Sequence, residues 1–149
     1  MDLLSIDETG RSEVWKVPSQ GGAAVQVTRN GGTKAYESLD GKFLYYWKPA
    51  DSDLWKMPVS GGEESQVLPS VDGGRRFCLA KEGIYFIPKH GADRKSSIQL
   101  LSFATGKVNT VALISHPDEG LSVSPDGRFL LFTQFDDSGS DLLLVENFR

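Results

Sequence analysis

The chain has little of what most catalytic and nucleic-acid-binding sites are built from. It holds one cysteine, Cys78, and two histidines, His90 and His116, in 149 residues. A single thiol forms no internal disulfide. Its setting, "RRFCLA", predicts a buried and inert side chain, because free cysteine behaves as a small hydrophobe. The histidines sit apart in "KHGADRKSS" and "SHPDEG", without the spacing of zinc ligands, and read as turn residues. Basic residues are also scarce: 16 Lys and Arg face 20 Asp and Glu, for a net charge of −4. The longest basic stretch is Arg75-Arg76, so a phosphate-binding face and a nucleic-acid partner are not expected. No apolar run approaches bilayer length, and no membrane partner is expected. The first residues, "MDLLSIDETG", carry an acid where a signal peptide needs positive charge, so no export signal is read and no compartment is specified. Helical periodicity is missing too: apolar residues never recur at three-and-four spacing for more than two turns.

What is present is turn chemistry and short apolar runs. With 39% hydrophobic and 24% charged residues, the chain suits one globular domain with a real core. Sixteen Gly and seven Pro predict many turns. The runs repeat. "DLWKMPVSGG", from Asp53, falls on "EVWKVPSQGG", from Glu13, at an offset of 40. "LSVSPDGRFLLF", from Leu121, falls on "AYESLDGKFLYY", from Ala35, at an offset of 86. "RFCLAKEGIYFI" lies between them, with Glu82-Gly83 in place of Asp-Gly. Each unit divides into four segments of about five apolar or aromatic residues bounded by Gly, Asp, Asn and Pro, which read as antiparallel strands. Four such strands every forty-odd residues is the period of a propeller blade. Blades stack sheet on sheet, which accounts for continuously apolar runs such as "FLYYW" and "FLLF". The fold class expected is therefore all-β: one partial β-propeller domain over 1–149, with blade units near 1–32, 33–74, 75–119 and 120–149.

These motifs resemble a known repeat. "SPDGR" at Ser124–Arg128, its weaker copies "SLDGK" and "AKEGI", and the pair "EVW" and "DLW" are similar to the TolB-type β-propeller repeat. The resemblance covers essentially the whole chain. It implies a propeller of the kind that also builds the sensor portions of bacterial kinases and transcriptional regulators, and the propeller of prolyl-oligopeptidase-like enzymes. Because the whole chain is repeat and holds no convergent catalytic set, the function expected is a non-catalytic interaction module that binds a protein or small ligand as part of a larger bacterial sensor or regulator. The alternative is the gating propeller of such a hydrolase, with its catalytic domain elsewhere. No cofactor is implied.

Aligned on the repeat, the units hold three, four, four and three strands, about three and a half blades. The first lacks its innermost strand and the last its outermost. That pattern predicts that Met1 cuts into a larger propeller and Arg149 lies near a natural end. Unpaired edges and an uncovered blade face predict self-association, as a dimer or larger homo-oligomer, or a protein partner.

Two apparent motifs are rejected. "GLSVS" at Gly120–Ser124 lacks the second Gly of a nucleophile elbow and leads into a strand, so Ser122 reads as structural. "DDSGSD" at Asp136–Asp141 lacks the Gly and Glu positions of a calcium loop and reads as a solvated hairpin. No catalytic or metal-binding residue is assigned. Trp15, Trp55, Tyr36, Tyr45, Tyr46 and Trp47 read as packing residues. The candidate binding surface is architectural: innermost strands line a propeller's channel, so Lys34, Glu37, Arg75, Arg76 and Glu119 are the residues expected near its mouth.

Overall fold

The structure is a computed structural model that describes residues 3–6, 10–73, 75–89 and 95–135. Thirteen strands and no helix occur among them. The first sheet is β1 (Leu3–Ile6), β2 (Ser12–Lys16) and β3 (Val25–Gln26). The second is β4 (Thr33–Glu37), β5 (Phe43–Lys48), β6 (Asp53–Pro58) and β7 (Ser65–Leu68). The third is β8 (Phe77–Leu79), β9 (Gly83–Phe86), β10 (Ser96–Ser102) and β11 (Val108–Ile114). The fourth pairs β12 (Pro117–Val123) with β13 (Leu130–Gln134). Every pairing is antiparallel, and strands meet in chain order within each sheet. The fold class is thus the expected one, all-β with successive propeller blades. The third strand expected for the fourth unit, at 141–146, lies outside the described residues, as do His90 and the acidic loop 136–141.

The apolar runs are continuous because both faces are covered. In the third sheet, Phe77, Ile84 and Phe86 join Tyr45, Leu54, Leu68 and Val71 of the second sheet and its linker in one core cluster, with Phe43, Trp47 and Leu79 packed against it. The intervening Cys78, Tyr85 and Ile87 turn the other way and pack with Ile98, Leu121 and Leu130 towards the fourth sheet. Alternate residues of "IYFI" therefore serve two interfaces. Burying each such side chain stabilises the stack by about 1.5–3 kcal/mol. Burial also pushes the Cys78 thiol up to about 12, with the Glu82 charge adding to it, so the thiol stays protonated and unreactive at neutral pH.

The repeated turn is held by a recurring set of bonds. The Ser38 hydroxyl donates to Asp40 at 2.7 Å and accepts from the Phe43 amide at 2.9 Å. Ser124 donates to Asp126 at 2.6 Å and accepts from the Phe129 amide at 3.0 Å. Gly41 and Gly127 both take φ near +70°, which only glycine adopts without strain. The acid heading the third strand recurs as a clamp as well. Glu13 accepts from the Thr28 hydroxyl at 2.6 Å and the Gly31 amide at 3.0 Å. Asp53, forty residues on, accepts from the Ser70 amide at 2.9 Å and from Gln66 at 2.5 Å. Glu13 thus fastens the linker to the next blade back to its sheet, and Asp53 fastens both the outer strand β7 and the linker that follows it.

A polar network ties the second sheet to the linker that enters it from the first. Glu64 accepts from Tyr46 at 2.5 Å, Lys48 at 2.5 Å and Asn30 at 3.3 Å. The Lys48 ammonium also sits 4.1 Å from the centre of the Trp55 ring. Burial alone would raise the Glu64 pKa. The bonds from Lys48 and Tyr46, the Lys48 charge and the Asn30 bond outweigh it, and the carboxyl titrates below its ordinary range. A carboxyl with a depressed folded pKa stabilises the fold fully above its unfolded pKa near ~4.3, and that contribution is lost as pH falls through the folded value. Melting temperature is therefore expected to drop more steeply below about pH 4.5 in the native chain than in Glu64→Gln. Parallel melting curves would contradict the network.

One boundary differs from the sequence reading. "HPDEG" reads as a linker, but Pro117–Gly120 belongs to β12, with Pro117 opposite Gln134 and a register shift before Leu121. Gly120, at φ +124°, supplies the backbone freedom that such an irregularity needs.

Candidate functional site

The first strands of successive sheets converge, and a cleft opens where they meet. β8 touches β12, and Tyr36 of β4 meets Phe77 of β8 edge-on, with ring centres 5.2 Å apart. The cleft holds about 440 Å³, within the range of small-ligand sites. Lys34 and Tyr36 come from β4, Arg75 from the linker before β8, Gly120 and Ser122 from β12, and Thr133 from β13. Lys34 and Tyr36 both line the cleft, and the β4–β5 register shifts between Thr33 and Tyr36. Lys34 takes φ +52°, unusual for a side chain other than Gly, Asn or Asp.

The five candidates divide into three settings. Lys34 and Arg75 line the cleft together. Glu119 pairs with Arg75 across 3.5 Å, with both side chains well exposed, so the pair adds little to stability and can exchange partners. Glu37 is exposed at the end of β4 and does not line the cleft. Arg76 is engaged elsewhere. It pairs with Asp72 and donates to the Pro117 carbonyl at 3.1 Å, tying the second linker to the start of β12. Its role is inter-blade bonding.

Three wall residues with polar side chains fell outside the sequence candidates: Tyr36, Ser122 and Thr133. Tyr36 read as a packing residue, but it is 42% exposed. Its place near Lys34 on the first strand of its unit was the available signal. Thr133 falls on Trp47 at the 86-residue offset, so a small hydroxyl stands where the second blade has a large indole. That substitution opens space. Chemically, the site offers two cations, two hydroxyls and a phenol above Leu121, Leu131 and Phe132. Among the described residues, no group of three or more His, Cys, Asp and Glu is placed to hold a metal ion.

No protein-family model matches the chain, and no curated protein does. Solved structures do match. One is a protein assigned as TolB from Agrobacterium tumefaciens, with a TM-score of 0.68 and 21% identity, over 94% of this chain and 52% of that one. Another is a protein assigned as a 6-phosphogluconolactonase from Bacteroides fragilis, with a TM-score of 0.52 and 15% identity, over 89% of this chain and 47% of that one. At these identities the likeness speaks to fold, and the chain spans about half the length of each. Repeat, sheet order and structural match agree: the chain folds as a TolB-like β-propeller, represented by a partial set of blades.

Proposed function

We propose that this chain is a non-catalytic interaction module, part of a larger bacterial sensor or regulator, that takes an acidic group of a protein or small ligand in the cleft between the inner strands. The observation that carries this is the meeting of Lys34 and Arg75 in one cleft with neutral walls. A carboxylate entering there exchanges with Glu119 for the Arg75 guanidinium and gains the Lys34 ammonium. A bond to a charged group contributes about 1.5–3 kcal/mol, so losing one cation weakens binding roughly tenfold or more.

The test is an amide-shift titration with a blocked tetra-glutamate peptide and its tetra-glutamine counterpart. The acidic peptide is expected to move the signals of Lys34, Tyr36, Arg75 and Gly120 and to remain uncleaved. Lys34→Ala and Arg75→Ala are each expected to weaken it roughly tenfold, and added salt to weaken it further. Equal response to both peptides, no response at millimolar peptide, or cleavage would overturn the reading.

A further inference from the structure

Among the described residues β13 is exposed on both faces, and one of those faces carries a row of large apolar side chains. Phe129 and Leu131 are each 60% exposed, and Phe135 is 64% exposed. They alternate along β13 and its exit and share one face with Thr133. The repeat says what such a face meets. At the 86-residue offset Phe129, Leu131 and Thr133 fall on Phe43, Tyr45 and Trp47. Those three pack against the third sheet. The exposed residues therefore occupy the positions that receive the next blade.

The opposite end is marked by Trp15. It falls on Trp55 at the 40-residue offset. Trp55 pairs in register with Tyr46, and its face carries the Lys48 ammonium that bonds Glu64, the side turned to the first sheet. Trp15 by repeat marks the face of the first sheet turned away from the second. Its half-buried ring keeps an indole N–H with no acceptor, as does Trp55. One end of the stack thus presents a blade's forward face and the other a blade's rear face, the two halves of one kind of junction.

We propose that a second copy of this chain closes the stack, the forward face of each fourth sheet packing on the rear face of the partner's first sheet. One copy of these blades covers 52% and 47% of the two structures it matches, so two copies of them amount to about one such chain. Both junctions are head-to-tail and related by a twofold axis, which closes the assembly. This goes beyond the cleft reading; Leu131 and Thr133 of this face also line the cleft, so the test is made through Phe129, Phe135 and Trp15, which do not.

The experiment is multi-angle light scattering of the 149-residue chain at tens of micromolar. A mass of about twice 16.3 kDa is expected. Phe129→Glu/Phe135→Glu and Trp15→Glu, each with retained β circular dichroism, are expected to be monomers. Mixing these two variants restores one intact junction and is expected to recover a 1:1 dimer. Leu113→Glu, on the exposed edge strand β11, is expected to leave the dimer unchanged. Should Trp15→Glu not fold, the Phe129/Phe135 and Leu113 variants still decide the matter. A monomeric native chain, a dimer that survives Phe129→Glu/Phe135→Glu, folded variants that fail to pair on mixing, or a dimer lost in Leu113→Glu would overturn the proposal.

Discussion

Gly83→Ala is expected to destabilise the chain by about 3 kcal/mol or more. A Cβ on Gly83 would lie 2.0 Å from the Leu101 carbonyl oxygen and 3.0 Å from Leu100 Cδ1. The first is backbone of the neighbouring strand and moves only if the β9–β10 ladder moves with it. Gly83 pairs with Ser102 at the end of that ladder, and its carbonyl accepts from the Ala80 amide at 2.9 Å. Gly127 makes the useful comparison. A Cβ there meets nothing within 4 Å, but φ is +70°. Gly127→Ala is therefore expected to cost only about 1–2 kcal/mol, the ordinary left-handed penalty. For a chain of this size the two variants separate by several degrees in melting temperature, at roughly 2–4 °C per kcal/mol. A Gly83→Ala chain that melts no lower than Gly127→Ala would contradict the β9–β10 register.

Tyr46→Ala is expected to cost about 3–5 kcal/mol, the range for truncating a large buried aromatic. Tyr46 has no exposed surface and stands against Gly32 on the side of the first sheet. Its hydroxyl is also a donor to Glu64. Tyr46→Phe keeps the ring and is expected to cost about 1–2 kcal/mol, because Glu64 retains Lys48. Urea unfolding of both variants separates packing from the bond. Equal losses would mean that the ring itself contributes nothing to the junction between the first two sheets.

The repeat was legible because it is written in residues with narrow backbone preferences. Ser-x-Asp-Gly closes on itself through Ser38 and Ser124, so the motif carries its structure locally. The weakest copy, at Glu82-Gly83, keeps its Gly for another reason: close approach of β10, with no left-handed φ. A sequence shows the shared letter but not the change of cause. Cys78 was legible as an inert packing residue because its neighbours alternate towards two cores.

The candidate surface was read less completely. Strand order placed Lys34 and Arg75 near the channel, and both line the cleft. Arg76 sits one residue from Arg75 with the same chemistry. Both lie in the turn before β8, where the Arg76 amide donates to the Gly73 carbonyl at 3.3 Å, and the partners of Arg76, Asp72 and Pro117, are set by packing of the linker against β12. Distant partners of this kind leave no trace in local pattern. The start of β12 was missed for a related reason. Pro and Gly in "HPDEG" read as a linker, and only pairing with Gln134 draws Pro117 into the sheet.

The central claim is that successive four-strand units stack as blades with their first strands converging. Proton–proton contacts measured by nuclear Overhauser spectroscopy test it most directly. Contacts are expected between the rings of Tyr36 and Phe77, and between Leu121 and both Ile87 and Ile98, each joining one unit to the next. Contacts confined to single units, with none across these pairs, would contradict the stacked-blade arrangement.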